Sequence, residues 1–155
     1  MGLPVMVEDL LLFPFGGNAR EAALTVEGLN AVAPRYRLVG FLDDNHAELC
    51  SGDAPILGGS DLWQVYRGKA RLLAVPGNPR RFRDRRALIE RFALRPAERG
   101  SVVDPTVRVA KSAKIGMNTL LMAVVFVSTG TSVGDHVAEG VPAGGDKGRA
   151  IEDFL

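Results

Sequence analysis

Three short stretches carry residue types suited to holding a phosphorylated ligand, and each closes an apolar run. Gly16-Gly17-Asn18, extended by Ala19 and Arg20, follows Leu10-Leu11-Leu12-Phe13 and opens a helical pattern. Free backbone N–H groups and the helix dipole attract a phosphate there, although the same residues would also serve a plain tight turn. Asp43 ends the run Tyr36 to Leu42, with Asp44 beside it and Gly17 26 residues upstream. A carboxylate so placed can accept from ribose hydroxyls or a base edge, or it can simply cap the strand. Gly77-Asn78 closes Ala70 to Val75. In a parallel sheet these three loops share one edge, where ligands collect. Helix capping by Asn78 ahead of Pro79 accounts for that last pair equally well.

Candidates for proton transfer and nucleophilic attack are few. The chain has 2 histidines and 1 cysteine. His46 follows Asp43-Asp44-Asn45, and His136 lies in Gly134-Asp135-His136-Val137. His136 is the remaining candidate for a general base, against its reading as a turn residue at the surface. Cys50 has a loop context, which argues against a nucleophile. One cysteine excludes a disulfide framework and a cysteine-based zinc site and suits a reducing cytoplasm; no metal is expected.

Arg80, Arg81, Arg83, Arg85, Arg86, Arg91, Arg95 and Arg99 invite a polyanion reading. Asp84, Glu90 and Glu98 interleave them, no aromatics line up for base stacking, and the net charge is only +1. A solvated helix face fits better than a nucleic-acid site, with Arg81 or Arg83 still able to reach a diphosphate. The longest uncharged apolar run, Leu120 to Val127, falls far short of the roughly 18 residues that span a bilayer. No basic n-region precedes an apolar core at the start, so a soluble, cytoplasmic protein without membrane contact is expected.

The elements that would position these residues differ between the two halves. Residues 1–100 alternate short apolar strands with helical patterns. Ala22, Ala23, Val26, Leu29 and Val32 form one helix face before Pro34. Ser60 is placed to cap a short helix through Tyr66, and a helix after Pro79 turns Phe82, Ala87 or Leu88, Ile89 and Phe92 inward. Strand and helix in alternation give a parallel sheet with crossover helices. Beyond residue 100, Val103, Val109, Ile115, Leu121, Val127 and Val133 recur every six residues. Val107, Ala113, Thr119, Val125, Thr131 and Val137 form a second lane of small or β-branched residues. Neither helix nor simple alternation has that period; a parallel β-helix does. The lane reaches Glu139, and residues 139–155 read as an irregular tail. The expected division is 1–100, a β-helix of about two coils over 101–138, and the tail.

Together these motifs resemble the sugar acyltransferases of the left-handed β-helix superfamily, of the sialic acid O-acetyltransferase and UDP-amino-sugar N-acetyltransferase type. That family opens a small Rossmann-like domain with a glycine loop, continues with an Asp-Asp-Asn strand end, and then adds hexapeptide coils. Here the motifs read Pro14-Phe15-Gly16-Gly17-Asn18-Ala19-Arg20-Glu21, then Phe41-Leu42-Asp43-Asp44-Asn45, then Val75-Pro76-Gly77-Asn78-Pro79. The resemblance covers residues 10 to 138. It implies an α/β fold: a small Rossmann-like parallel sheet domain followed by a short left-handed parallel β-helix.

The same resemblance implies a nucleotide-sugar partner such as a UDP-sugar, acetyl-CoA as co-substrate, and a homotrimer built through the β-helix. Gly16, Gly17, Asn18, Ala19, Arg20, Asp43, Asp44, Gly77 and Asn78 are then the binding residues. Two departures stand out. Pro14 replaces the family's first glycine. The family's catalytic histidine belongs to a coil beyond the point where this repeat stops, so a truncated product that binds without catalysing is expected, with most of the acetyl-CoA site absent. A non-catalytic assembly module is the alternative from another class. An NAD-dependent oxidoreductase is a third, weakened by an incomplete dinucleotide motif and the lack of a substrate domain.

Overall fold

The computed structural model describes residues 6–45, 54–139 and 150–151. Its first part is a four-stranded parallel sheet. β1 (Glu8–Phe13), β2 (Tyr36–Leu42), β3 (Ile56–Gly58) and β4 (Arg71–Ala74) lie in the order β3-β2-β1-β4. The leucine run in β1 is continuous because both of its faces are covered. Leu10 and Leu12 pack with Ala19, Ala22 and Val26 of α1 (Gly17–Val32), whereas Leu11 and Phe13 pack with Trp63, Ile89 and Phe92 on the opposite side. Those three residues come from α2 (Trp63–Tyr66), α3 (Arg85–Glu90) and the turn after α3.

Local chemistry sets the turns. α1 stops where Ala33 becomes extended ahead of Pro34. The Asn30 side chain then accepts from the N–H groups of Arg35 and Tyr36 and donates to the Tyr36 carbonyl, fixing the entrance to β2. β3 lies in a stretch that reads as a Gly/Pro-rich loop. Its approach to β2 is close enough that a Cβ at Gly40 would overlap the Pro55 carbonyl.

Several expectations are corrected. Ser60 does not cap the helix before Tyr66: its N–H donates to Asp44 Oδ1 (2.7 Å), and Gly59 occupies the capping position of a short 3-10 turn. Asn78 does cap, accepting from Arg80 N–H at 3.0 Å. The element it caps, however, is a 3-10 segment over Pro79–Asp84, kinked at Arg81, which leaves Phe82 67% exposed rather than inward. Val32, at the last turn of α1, is likewise exposed.

From residue 102 onward, two-residue strands recur every six residues: β5 (Val102–Val103), β6 (Arg108–Val109), β7 (Lys114–Ile115), β8 (Leu120–Leu121), β9 (Phe126–Val127), β10 (Ser132–Val133) and β11 (Ala138–Glu139). They stack in parallel ladders that pair residues eighteen apart, Val102 with Leu120, Arg108 with Phe126 and Lys114 with Ser132. Leu121, Val125, Val127, Val133 and Val137 form the interior, so both aliphatic lanes point inward. Val109 is the exception at 41% exposed. The irregular tail also needs correction. Ala138–Glu139 pairs with β8, and β12 (Ala150–Ile151) pairs in register with β10. A ladder needs the chain back at each face only once per turn, and Ile151 lies eighteen residues after Val133.

The outward positions distinguish the faces. Arg108, Lys114, Phe126 and Ser132 are exposed. Val102 and Leu120 are fully buried in the cluster that contains Leu10, Leu12 and α1, with Ala138 against them. One face of the coil therefore docks on the α/β part. Asn118 secures the seam. Its amide accepts from Ala74 N–H and donates to the Ala74 carbonyl (both 2.8 Å), serving the sheet's edge as another strand would.

Candidate functional site

The C-terminal ends of β1, β2 and β4 converge on one cavity of about 680 Å³. Gly16, Gly17 and Asn18 line it from the start of α1, Asp43 and Asp44 from the end of β2, and Gly77 and Asn78 from the loop after β4. Pro14, after a cis peptide bond, and Phe15 complete the first loop. Arg81, Phe82, Arg85 and Leu88 line the far side, with Ala138 from the β-helix. Of the residues singled out by sequence, Ala19 and Arg20 are not brought into the cavity. Ala19 is core packing beneath the loop, and Arg20 lies over the Phe15 ring at 5.4 Å.

No side chain caps α1, and its first turn carries no acidic residue. A helix start with that arrangement at a cavity wall favours an anion. Asp43 is 6% exposed and braces the loop: Oδ2 accepts from Phe15 N–H (2.9 Å) and Oδ1 from Asn45 N–H (2.7 Å). Each carboxylate oxygen has two lone pairs, so bracing the backbone does not preclude accepting from a ligand hydroxyl or base N–H. Asp44 sits on the rim. Burial works against its charge, but the Ser60 N–H and Arg91 (2.6 Å) outweigh that and hold its carboxyl below the ordinary value. Gly77 is closely approached: a Cβ there would meet the Asn18 amide, which lies across the loop and would have to move.

The arginine-rich stretch is largely the solvated face expected, with Arg80, Arg81, Arg83, Arg86, Arg91 and Arg95 exposed, and several of its members also form ion pairs. Arg91 reaches Asp44, Arg99 reaches Asp135 (3.0 Å), Arg95 pairs with Glu98, and Arg86 pairs with Glu90. Arg81 lines the cavity while pairing with Asp84; Arg83 turns over the Phe82 ring instead. Arg85 is half-buried, which lowers its pKa, and it donates to the carbonyls of Pro76 and His136. Arginine remains charged at neutral pH all the same.

His136 is neither a surface residue nor part of this cavity. It is 8% exposed at a left-handed corner (φ 61°), beside a second space of about 290 Å³ lined by Ile89, Glu90, Leu94, Arg99 and Asp135. The candidate base is thus a seam residue between α3 and the coil. His46 and Cys50 lie outside the described residues. Among the described residues no group of three His, Cys, Asp or Glu could hold a metal, and no helix is long and apolar enough to cross a membrane.

Sequence reasoning missed Arg85, Phe82, Asn118 and Ala138. Ala138 had a readable signal, since it stands eighteen residues after Leu120 in a period of six. Arg85 had none, because its acceptors are carbonyls 9 and 51 residues away.

No protein-family model and no curated protein sequence matches the chain. Solved structures do. The acetyltransferase domain of PglB from Neisseria gonorrhoeae FA1090 is similar at 25% identity and a TM-score of 0.75, over 95% of this chain and 69% of that one. The same domain in complex with acetyl coenzyme A gives 25% identity and a TM-score of 0.76, over 96% and 69%. PerB from Caulobacter crescentus, in complex with CoA and GDP-perosamine, is similar in fold at 17% identity, with a TM-score of 0.62 over 99% and 66%. The chain therefore has an α/β part and a coil arranged as in the solved acetyltransferase domain of PglB, and PerB shares the fold.

Proposed function

We propose that the chain is a sugar acetyltransferase relative whose cavity binds a nucleotide-sugar, with Asp43, Asp44 and the two glycine loops as the binding residues. The observation that carries this reading is the meeting of three strand-end loops around an uncapped helix start, walled by the coil at Ala138. A diphosphate would lie against Gly16 and Gly17 near Arg81, and the base or ribose would be read by Asp43. The similar PglB domain was solved with acetyl coenzyme A and PerB with GDP-perosamine, which supports the same ligand classes here. We read the coil as the left-handed hexapeptide type and the assembly as a homotrimer in the cytoplasm.

In such a transfer, the sugar amine or hydroxyl attacks the thioester carbonyl of acetyl-CoA, gives its proton to a base, and expels the CoA thiolate. His136 does not line the cavity, so no described residue is assigned as that base. Binding is the activity we assign to the described cavity. The seam position of His136 is also what favours the second reading, a non-catalytic assembly module.

Calorimetric titration with UDP-N-acetylglucosamine, GDP, NAD and acetyl-CoA tests this. A nucleotide or nucleotide-sugar is expected to bind and to lose affinity in Asp43→Ala. Silence toward every nucleotide leaves the assembly module, and binding of NAD alone favours the oxidoreductase.

A further inference from the structure

Two corners of the β-helix, one turn apart, grip the segment that carries the third cavity loop. Asn118 and His136 occupy equivalent positions, each with left-handed backbone (φ 56° and 61°). The Asn118 amide makes its two-point bond to the backbone of Ala74. Two residues further on, the Pro76 carbonyl accepts from Arg85 Nη1, while Arg85 Nη2 donates to the His136 carbonyl at 2.6 Å. Arg85 itself lines the cavity. A planar guanidinium with donors directed at two carbonyls from distant parts of the chain is held in one orientation.

We infer that Arg85 is a positioning residue that links occupancy of the cavity to the order of the coil corner at Gly134–Val137, by fixing the loop from Pro76 to Asn78. This rests on reading the cavity as a nucleotide-sugar site. A ligand that restrains Gly77 and Asn78 restrains the Pro76 carbonyl, and Arg85 carries that restraint to the His136 carbonyl. The corner is tied onward, with His136 N–H donating to the Met117 carbonyl (2.9 Å) and Leu120 N–H to the Val137 carbonyl (2.8 Å). Such linkage is reciprocal: an ordered corner strengthens binding, and a bound ligand protects the corner.

Amide hydrogen exchange with and without UDP, beside calorimetry with UDP and uridine, on wild type, Arg85→Lys and Arg85→Met tests the link. In the wild type, UDP slows exchange at His136 about fivefold or more. In Arg85→Met, UDP no longer changes that exchange, and affinities for UDP and uridine fall by the same factor, about tenfold. Arg85→Lys, keeping the charge and one of the two bonds, falls between them and serves if the methionine variant folds poorly. A direct phosphate contact would weaken UDP alone and leave uridine and the corner unchanged; that result overturns the inference. If the wild type binds neither UDP nor uridine, nor GDP or UDP-N-acetylglucosamine in the calorimetry above, the functional reading fails by itself. The unliganded comparison then decides: faster exchange at His136 in Arg85→Met keeps the mechanical link, and unchanged exchange overturns it.

Discussion

Asp43 braces a loop while being, in the proposed function, a ligand contact as well. Its two oxygens hold the amides of Phe15 and Asn45, and the glycine loop therefore has its shape before any ligand arrives. Asp43→Asn replaces one acceptor by an NH2 group facing an N–H, so it should behave nearly as badly as Asp43→Ala. Losing such a buried acceptor costs about 1–3 kcal/mol, which lowers the melting temperature by several degrees, and nucleotide binding measured calorimetrically should disappear with it. Gly77→Ala is the contrasting case. The methyl group displaces the Asn18 amide, the end of a partly exposed side chain in the first turn of α1. Stability should stay within about 0.5 kcal/mol while nucleotide affinity drops; an unchanged affinity would show that Asn18 has no part in the site. The glycine loop and Asp43 were legible in the sequence because strand, turn and helix succeed one another within a few residues. Arg85 and the inner contacts of Asp43 were not, since their partners are backbone groups brought near only by folding.

At the scale of elements, periodicity was the most readable signal and composition by face the least. The spacing of six identified the coil, yet it did not say which face would be covered. The clue was present as apolar doublets, Val102-Val103 and Leu120-Leu121, beside mixed pairs such as Arg108-Val109 and Lys114-Ile115. Leu120 and Phe126 both point outward, but Leu120 is 0% exposed against the α/β part and Phe126 is 43% exposed. Leu120→Ala should therefore cost ~2–5 kcal/mol in urea unfolding, and Phe126→Ala of the isolated protomer within about 0.5 kcal/mol. Equal losses would mean that the docked face contributes nothing special. The rim tie between Asp44, Ser60 and Arg91 joins β2 to the helical side and responds to pH. Because the folded-state pKa of Asp44 lies below its ordinary value, its contribution is complete above about pH 4 and disappears as pH falls through the folded value. Protection of the Ser60 amide, its exchange taken relative to the intrinsic rate at each pH, should fall over that acid range in the wild type. In Asp44→Asn that protection should be low and independent of pH.

The whole molecule joins a sheet whose ligand edge is built from local turns to a coil whose order depends on stacking. Each supplies what the other lacks, since the coil walls the cavity and covers one face of α1, and the sheet buries the outward residues of one coil face. The face of β6 and β9 has no such cover. Val109 and Phe126 are 41% and 43% exposed there, and Val124 at the adjoining corner is 68% exposed with φ 60°. A β-branched residue is unfavourable in that left-handed region, where Asn or Gly would be easier. An apolar, strained and exposed corner next to an exposed phenylalanine gains from contact with another copy of the chain, in line with the proposed trimer. Sedimentation equilibrium should then show a trimer for the wild type and a monomer for Phe126→Asp. Val124→Asn should weaken the assembly as well, yet leave the dilute monomer as stable as before or more so, because the strain at the corner is relieved. A wild type that stays monomeric at high concentration would remove the trimer from the proposal without touching the proposed nucleotide site, whose described lining comes from one protomer.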